Sequence, residues 1–448
     1  MSEMERLTEA VKELLEAGRE GRLATVLEEA HAADLAAVVR ELPAADQVRV
    51  FRLLAPDDAG AVLSELDDPT TRELLRALDE TEVTRILEHM PADHVVEVVE
   101  ELPKAEAEKL LDLMEEEKSE EVQELLEYRD GSAGRLMSPN FVAVSERATV
   151  GQAIEHIRKS RTGDDAFYVY VVDEHEHLVG MVPLHRLLTA DPATPVHAIR
   201  NEDVESVTVD TDQEEVARRV QRYDLVQIPV VDANRRLLGT ISVDDVIDVI
   251  HEEATEDIQR LGGAGGDETV LDPPQAVLPR RLVWRLINLG TAVVAASVIG
   301  LFESTIQAMA TLAVFMPIVA SMGGIGTTQT ATVVIRGIAL GELTRSGVRR
   351  VLRKELWLGL TTGAVNGLVI AAIAYAWKGQ LLLAVILGVA LLLNMLIAAV
   401  VGTLVPLALT LFRVDPAIAS SVIITTFTDV FGFFSFLGLA TLLIRFLL

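Results

Sequence analysis

The chain has 448 residues, half of them hydrophobic, no cysteine and a net charge of −29. That charge is unevenly divided: residues 1–272 hold 63 acids and 27 bases, net −36, and residues 273–448 hold 5 acids and 12 bases, net +7, which indicates one soluble acidic environment and one membrane environment. The acidic half excludes a nucleic-acid partner and suits cations, the lack of cysteine excludes disulfides and thiolate metal sites, and no nucleophile–base pair or HExxH spacing marks an enzyme.

The first residues are polar and helix-forming, with no apolar signal core, so the amino-terminal half is expected to stay cytosolic. Residues 1–132 predict an acidic domain of short amphipathic helices, with Leu, Val and Ala at three- and four-residue spacing broken by Pro and Asp. A loose unit recurs at Ala33-Asp34-Leu35 to Glu41-Leu42-Pro43, at Pro56-Asp57-Asp58 to Glu65-Leu66, and at Pro91-Ala92-Asp93 to Glu101-Leu102-Pro103. Each places an acidic helix start before an apolar helix, and the unequal spacing predicts an irregular helical superhelix. N-capping and first-turn dipole pairing account for most of these Asp residues.

From Gly134-Arg135-Leu136-Met137-Ser138-Pro139 the pattern changes to strand and helix signals repeated twice, over 137–200 and 201–250. The first copy runs Phe141–Val144, a helix from Thr149 to Lys159, then strands Phe167–Asp173 and His177–Val182. The second runs Ser206–Val209, a helix after Asp212, then strands Gln227–Asp232 and Arg236–Ser242, then a helix from Val243. This internal repeat resembles a tandem of cystathionine-β-synthase-type (CBS) domains. In that family Gly, two apolar residues, Ser or Thr, two further residues and Asp supply an adenine-nucleotide site. The second copy keeps it as Gly239-Thr240-Ile241-Ser242-Val243-Asp244-Asp245, so the resemblance implies Ser242 and Asp245 as ATP or other adenine-nucleotide contacts. The first copy has Pro183 and Arg186 at the two polar positions. The competing reading is a fold-forming turn.

Residues 251–279 predict an acidic connecting helix, beginning His251-Glu252-Glu253-Ala254-Thr255-Glu256-Asp257-Ile258 and loosening at Gly262-Gly263, followed by a linker. Asp244, Asp245 and Asp248 lie next to it, which suggests a cation site between the two acidic runs. The ordinary reading of such a run is a solvated helix face.

Residues 280–448 predict five membrane segments, approximately Leu282–Phe302, Ile306–Leu340, Leu356–Ala376, Leu381–Leu411 and Ala417–Leu448. Arg280, Arg281 and Arg285 precede the first. Arg345, Arg349, Arg350, Arg353 and Lys354 follow the second, and Arg413 follows the fourth, which places those loops in the cytosol and the carboxyl terminus outside. Trp284, Trp357 and Trp377 lie at segment ends, where their rings favour the interface. The second segment is expected to be broken at Pro317 and over Met322–Thr330, where irregular backbone would face water or protein; close packing of glycines is the alternative. The last segment carries Asp429 in an apolar helix. A carboxylate at bilayer depth costs about 2.5–3.5 kcal/mol, so such residues face a bundle interior or a water path. Ser421, Thr425, Thr428, Asp429 and Gly432 fall toward one side at helical spacing, which predicts a pore lining. The plain alternative is a protonated Asp429 bonded to a neighbouring helix, with hydroxyls bonded to their own backbone.

The acidic helical domain, the CBS tandem, the acidic connecting helix and five membrane segments together resemble the MgtE family of magnesium channels. The most specific strings are Val414-Asp415-Pro416-Ala417 and Thr425-Thr426-Phe427-Thr428-Asp429-Val430-Phe431-Gly432, with Arg336 after the Gly-rich stretch. The resemblance implies a multidomain α plus α/β membrane protein: a cytosolic helical superhelix, tandem CBS domains, a connecting (plug) helix and a five-helix transmembrane domain in the cytoplasmic (inner) membrane. It implies a homodimer set in lipid, with Mg2+ as both substrate and effector. Asp429, Thr425 and Asp415 are then the pore metal residues. Asp93, Glu97, Asp212, Glu214, Asp224, Asp245, Asp248, Glu253, Glu256 and Asp257 are the regulatory metal residues, through which cytosolic Mg2+ closes the pore to influx. Three positions depart from the family: Gly323-Gly324-Ile325 replaces Gly-Gly-Asn, and Ala61 and Arg135 stand where metal-contacting residues can occur. Competing readings are a broader transporter of Mn2+, Co2+ or Ni2+, and a membrane-anchored nucleotide sensor.

Overall fold

The computed structural model of the chain describes residues 3–160, 167–266, 268–270, 272–343, 347–412 and 414–447, without the side chains of 418–421 and 444–447. Arg345, Arg413 and the side chain of Ser421 therefore lie outside the described residues. Two compact units form, Met1–His251 and Glu252–Leu448.

The first unit opens with ten short helices: α1 Glu3–Glu16, α2 Glu20–Glu29, α3 Ala32–Arg40, α4 Ala44–Leu53, α5 Pro56–Ser64, α6 Asp68–Ala77, α7 Glu80–Leu87, α8 Ala92–Glu100, α9 Lys104–Leu113 and α10 Glu116–Glu127. The three recurring units become α3, α5 and α8. Their aspartates occupy the first turn, where they meet the helix dipole, while the capping positions are His31, Ala55 and Pro91. True Asp caps occur at Asp67, which accepts from Thr70 N, and at Asp79, which forms a capping box with Glu82. Leu23, Leu27, Leu35, Leu63, Leu74 and Leu87 form the buried stripe.

After the short helix α11 (Ala133–Leu136) come two three-stranded sheets. The first is β1 (Ala143–Ser145), β2 (Tyr168–Val172) and β3 (Leu178–Pro183), with helices α12 (Val150–Lys159) and α13 (Leu184–Thr189). The second is β4 (Val207–Thr208), β5 (Gln227–Val231) and β6 (Leu237–Ser242), with α14 (Gln213–Tyr223). In both, the first pair is parallel and the second antiparallel, with a register irregularity at Val171/Val172 and again at Val230/Val231. The repeat read from the sequence is thus a repeat of fold down to its bulge. The second copy shares one continuous core with the helical domain, through Val207, Val216, Val220, Ile228, Ile241 and Val246. Backbone pairing adds to this: Gly134 N donates to Val209 O at 2.9 Å, and Ser138 pairs with Thr240 in both directions at 2.8 and 2.9 Å.

Val243–Leu261 is a single helix, α15, carrying both Asp244-Asp245-Asp248 and Glu253-Glu256-Asp257; the domain edge expected at 250/251 lies inside it. The membrane half comprises α16 (Pro274–Gly300), α17 (Glu303–Ala308), α18 (Thr311–Ala339), α19 (Val348–Lys378), α20 (Leu381–Leu411) and α21 (Pro416–Leu447). Five of these are long and apolar enough to cross a membrane.

The expected break in the second segment is not where the sequence put it. α18 runs unbroken through Pro317 and through Met322–Thr330, and the interruption falls earlier, between α17 and α18. Leu312, Phe315 and Val319, all fully buried, hold the helix on both sides of the proline. At Gly323 an added Cβ would sit 2.3 Å from Asn394 Nδ2, so this glycine admits a neighbouring side chain rather than bending the backbone. Ile325, the departure from the family string, points outward at 51% exposure.

A second small-residue contact binds α19 to α20. Gly359, Gly363 and Gly367 recur every four residues, and a Cβ at Gly367 would lie 2.6 Å from Gly388 O, a backbone atom that cannot swing aside. Gly367→Val is therefore expected to push the helices apart and cost about 1–3 kcal/mol by overpacking. In detergent it should unfold several degrees below the native protein in a thermal melt; an unchanged melt would show that the helices have room.

Candidate functional site

In α21, Asp429 is the eighth residue of the apolar span Val422–Leu443. Its side chain is partly exposed, and it has no hydrogen-bond or ion-pair partner among the described residues. Thr425, one turn earlier, shares its face. The expected oxygen stripe divides, however. Thr428 is fully buried, and its hydroxyl donates to Ile424 O and Thr425 O at 3.1 Å. Gly432 is buried against Asn394, where a Cβ would come 2.9 Å from Nδ2. These two residues pack the helix into the bundle, and Thr425 and Asp429 remain as the polar face. Thr425 Oγ1 also donates to Val422 O at 3.2 Å, so back-bonding of the hydroxyls does occur, as the plain reading anticipated.

Sequence reasoning missed Asn394. It is fully buried in α20, donates to Val319 O at 2.8 Å and leaves its Oδ1 without a partner among the described residues. A lone Asn in a long apolar run was the available signal.

Asp415 immediately precedes α21 and accepts from Ala417 N at 2.7 Å, an ordinary cap. It also pairs with Arg260 of α15, whose guanidinium pairs in turn with Glu256. Asp257 belongs to the same cluster: burial, then the charges of Asp415 and Glu253, push its carboxyl up to about 6. The cluster is therefore Glu253, Glu256, Asp257 and Asp415 around one arginine, and Arg260 is the member the sequence reading did not single out.

In the first unit the regulatory candidates fall into separate groups. Asp93 is buried at 8% exposure in the first turn of α8, and its Oδ1 has no hydrogen-bond partner among the described residues. Its charge reaches Asp245, whose carboxyl is raised chiefly by burial and further by Asp93 and Asp244. It also reaches Lys118, whose ammonium burial pushes down while Glu121 and Asp93 pull it up. Glu97 and Asp248 are exposed. Asp212 caps α14, accepting from Glu214 N at 3.2 Å, and meets Arg129 at 3.3 Å. Glu214 lies 4.0 Å from Arg218, and Asp224 ends α14 in a left-handed conformation at φ 51°. Arg135, which would repel a metal, is used elsewhere: it pairs with Glu100 and donates to Leu125 O at 3.0 Å.

Ser242 and Asp245 are bonded to each other, Ser242 N donating to Asp245 Oδ2 at 3.0 Å and the hydroxyl to the same oxygen. In the first copy, Arg186 is held by Ile199 O and Asn201 Oδ1. One group of three metal-capable side chains converges among the described residues: Asp173, His175 and His177, with ligand atoms within 4.8 Å of one another. The His177 hydrogen bond, ahead of the backbone amides, holds the Asp173 carboxyl down to about 2.

Residues 316–439 match the MgtE divalent cation transporter family, residues 30–131 the MgtE intracellular N domain, and residues 133–193 and 196–252 the CBS domain. The magnesium transporter MgtE of Thermus thermophilus is 39% identical over 321 residues, 71% of each chain. That of Bacillus subtilis is 34% identical over 319 residues, again 71% of each. Among solved structures, the cytosolic domain of the Mg2+ channel MgtE in complex with ATP is similar at 39% identity and a TM-score of 0.52, covering 54% of this chain and 99% of that one.

Proposed function

The chain belongs to the MgtE family of magnesium transporters, and from that premise we propose that it is a magnesium-selective channel of the cytoplasmic membrane, a homodimer that carries Mg2+ inward and closes when cytosolic Mg2+ binds its acidic half. The observation that carries the pore is Asp429, a carboxylate without a partner among the described residues on a helix otherwise built for lipid and close packing. A charge so placed is tolerated beside water or another polar group, and where a second copy sets its own Asp429 opposite, a hydrated cation between the two carboxylates neutralises both. Mg2+ dehydrates reluctantly and is held by one or two carboxylates while keeping several waters, which suits two facing Asp429 side chains with Thr425 nearby. An inside-negative potential favours entry by about 2.3 kcal/mol per charge per 100 mV.

The gate rests on the carboxylates of α8 and α15. Asp93 Oδ1, buried beside Asp245 and unpartnered among the described residues, is the kind of atom a divalent cation satisfies. Glu253, Glu256, Asp257 and Asp415, gathered around Arg260, are the second place, where a divalent cation would compete with that arginine, and Glu97, Asp212, Glu214, Asp224 and Asp248 stand on the surface as weaker contributors. With a net charge of −36 over residues 1–272, the acidic half repels itself until cations bridge it. An adenine nucleotide is the other ligand assigned to the second CBS copy, because a relative was solved with ATP. Both Ser242 bonds end on Asp245 Oδ2, which leaves Oδ1 to accept from a ribose hydroxyl. The carboxyl terminus is assigned to the outside.

The test is Mg2+ influx into proteoliposomes, with Mg2+ titrated on the side of the soluble half at pH 7.5 and at pH 5.5. Influx is expected to shut as Mg2+ rises. The carboxyl of Asp257 is ionised well above pH 6 and protonated below it, and a proton there competes with the metal. Half a unit below its pKa about a quarter of that carboxyl stays ionised, so the closing midpoint should rise about fourfold at pH 5.5. Influx that ignores Mg2+ on that side would remove the gate from this reading, and no influx at any Mg2+ would remove the channel.

A further inference from the structure

The turns that join the two antiparallel strands in each CBS copy are built alike. In the first, Asp173 Oδ1 accepts from His175 N at 2.8 Å and His177 N at 2.9 Å. In the second, Asp232 Oδ1 accepts from Asn234 N at 2.7 Å and Arg236 N at 2.8 Å. Glu176 and Arg235 take the same left-handed conformation, at φ 63° and 67°. The aspartate and the backbone therefore serve the fold in both copies, and the side chains at the other positions are free to differ.

They differ in chemistry. Where the second turn has Asn234 and Arg236, the first has two imidazoles, stacked with ring centroids 5.7 Å apart. His177 Nδ1 meets Asp173 Oδ2 at 2.9 Å. A carboxylate on one ring nitrogen orients the imidazole and raises the basicity of the other nitrogen, the usual arrangement behind a metal-bound histidine. The neighbouring acids are already engaged, Glu174 with Arg147 and Glu176 with Arg236. The twin turn shows that the fold has no need of either histidine.

We propose that His175 and His177, with Asp173 orienting the His177 ring through Nδ1, form a binding site for an imidazole-seeking divalent metal of the zinc, nickel and copper class. Mg2+ demands hard oxygen ligands in near-ideal octahedral geometry, whereas imidazole suits zinc, copper and nickel, so the site tells those metals from the transported ion. It lies where the copies meet, since Leu178 N donates to Arg235 O at 2.9 Å and Leu237 N to Glu176 O at 3.2 Å. A metal there braces one turn against its twin.

The test uses the full chain purified in detergent, with Mg2+ in millimolar excess to fill the oxygen sites, titrated with Zn2+ by calorimetry. The native chain is expected to bind one Zn2+ that Mg2+ does not displace. The double variant His175→Asn with His177→Arg installs the side chains of the second turn and is expected to weaken that binding at least tenfold. His175→Asn alone, at an exposed ring, is the companion variant and should weaken it by a smaller factor. Native protein that takes up no Zn2+ above the Mg2+ background overturns the proposal, and so does Zn2+ binding that neither variant weakens.

Discussion

Asp429→Ala is expected to abolish magnesium influx, by at least about 100-fold, while leaving the protein folded. A doubly charged ion about 5 Å from a carboxylate gains about 6–7 kcal/mol at an effective dielectric of 20. A 100-fold loss, about 2.7 kcal/mol, asks for less than half of that. Asp429→Asn separates charge from shape: it keeps the size of the side chain and should lose influx equally. A structural role gives the opposite pattern. Asp429 has no partner among the described residues, so removing it breaks no bond and relieves the cost of about 2.5–3.5 kcal/mol for a charge at membrane depth. The thermal melt of the Ala variant should therefore be unchanged or raised as its influx disappears. A variant that conducts normally would show that ions pass elsewhere.

That contrast also marks how far the sequence could be read. A single carboxylate in an apolar run stands out against its surroundings, as does a strand-and-helix pattern repeated twice, and both were legible. Facing was harder. Thr428 and Gly432 lie within one turn of Asp429, and helical spacing alone places them toward its side; only the folded bundle, with Thr428 fully buried and Gly432 against Asn394 of α20, shows that they turn inward. Pro317 and the glycines after it carried breaker signals, yet α18 continues because its neighbours pack along both sides, and tertiary packing overrides local propensity. The interval of four between Gly359, Gly363 and Gly367 was visible, but its meaning depends on Gly388 standing opposite. Arg260 was the least legible of all. One base in an acidic helix reads as a solvated partner of Glu256, and nothing local says that Asp415, 155 residues later, also meets it.

Arg260→Gln is expected to make closure about tenfold more sensitive to cytosolic Mg2+. Its guanidinium lies against Glu256 and Asp415, beside Asp257, the carboxylates proposed to receive the closing ion. As an ion pair the contact contributes little net stability, since about three-quarters of both side chains is buried (25% and 29% exposed) and the cost of desolvating two charges offsets their attraction. As a resident cation it matters more. A unit charge about 6 Å from a divalent ion repels it by about 1.4 kcal/mol even at the screening of bulk water, which is tenfold in affinity. Removing that charge should move the closing midpoint to lower Mg2+, and the weak tether it also provides should leave influx at low Mg2+ slightly higher. Arg260→Lys keeps the charge without the planar fork and should stay near the native midpoint. In Asp415→Asn the arginine loses one of its two partners, so adding Arg260→Gln there should shift the midpoint by a different amount than it does in the native chain, the non-additivity expected of groups in contact. A midpoint that moves to higher Mg2+ in Arg260→Gln would mean that the arginine belongs to the closed state itself, and that the carboxylates close on it rather than on the ion.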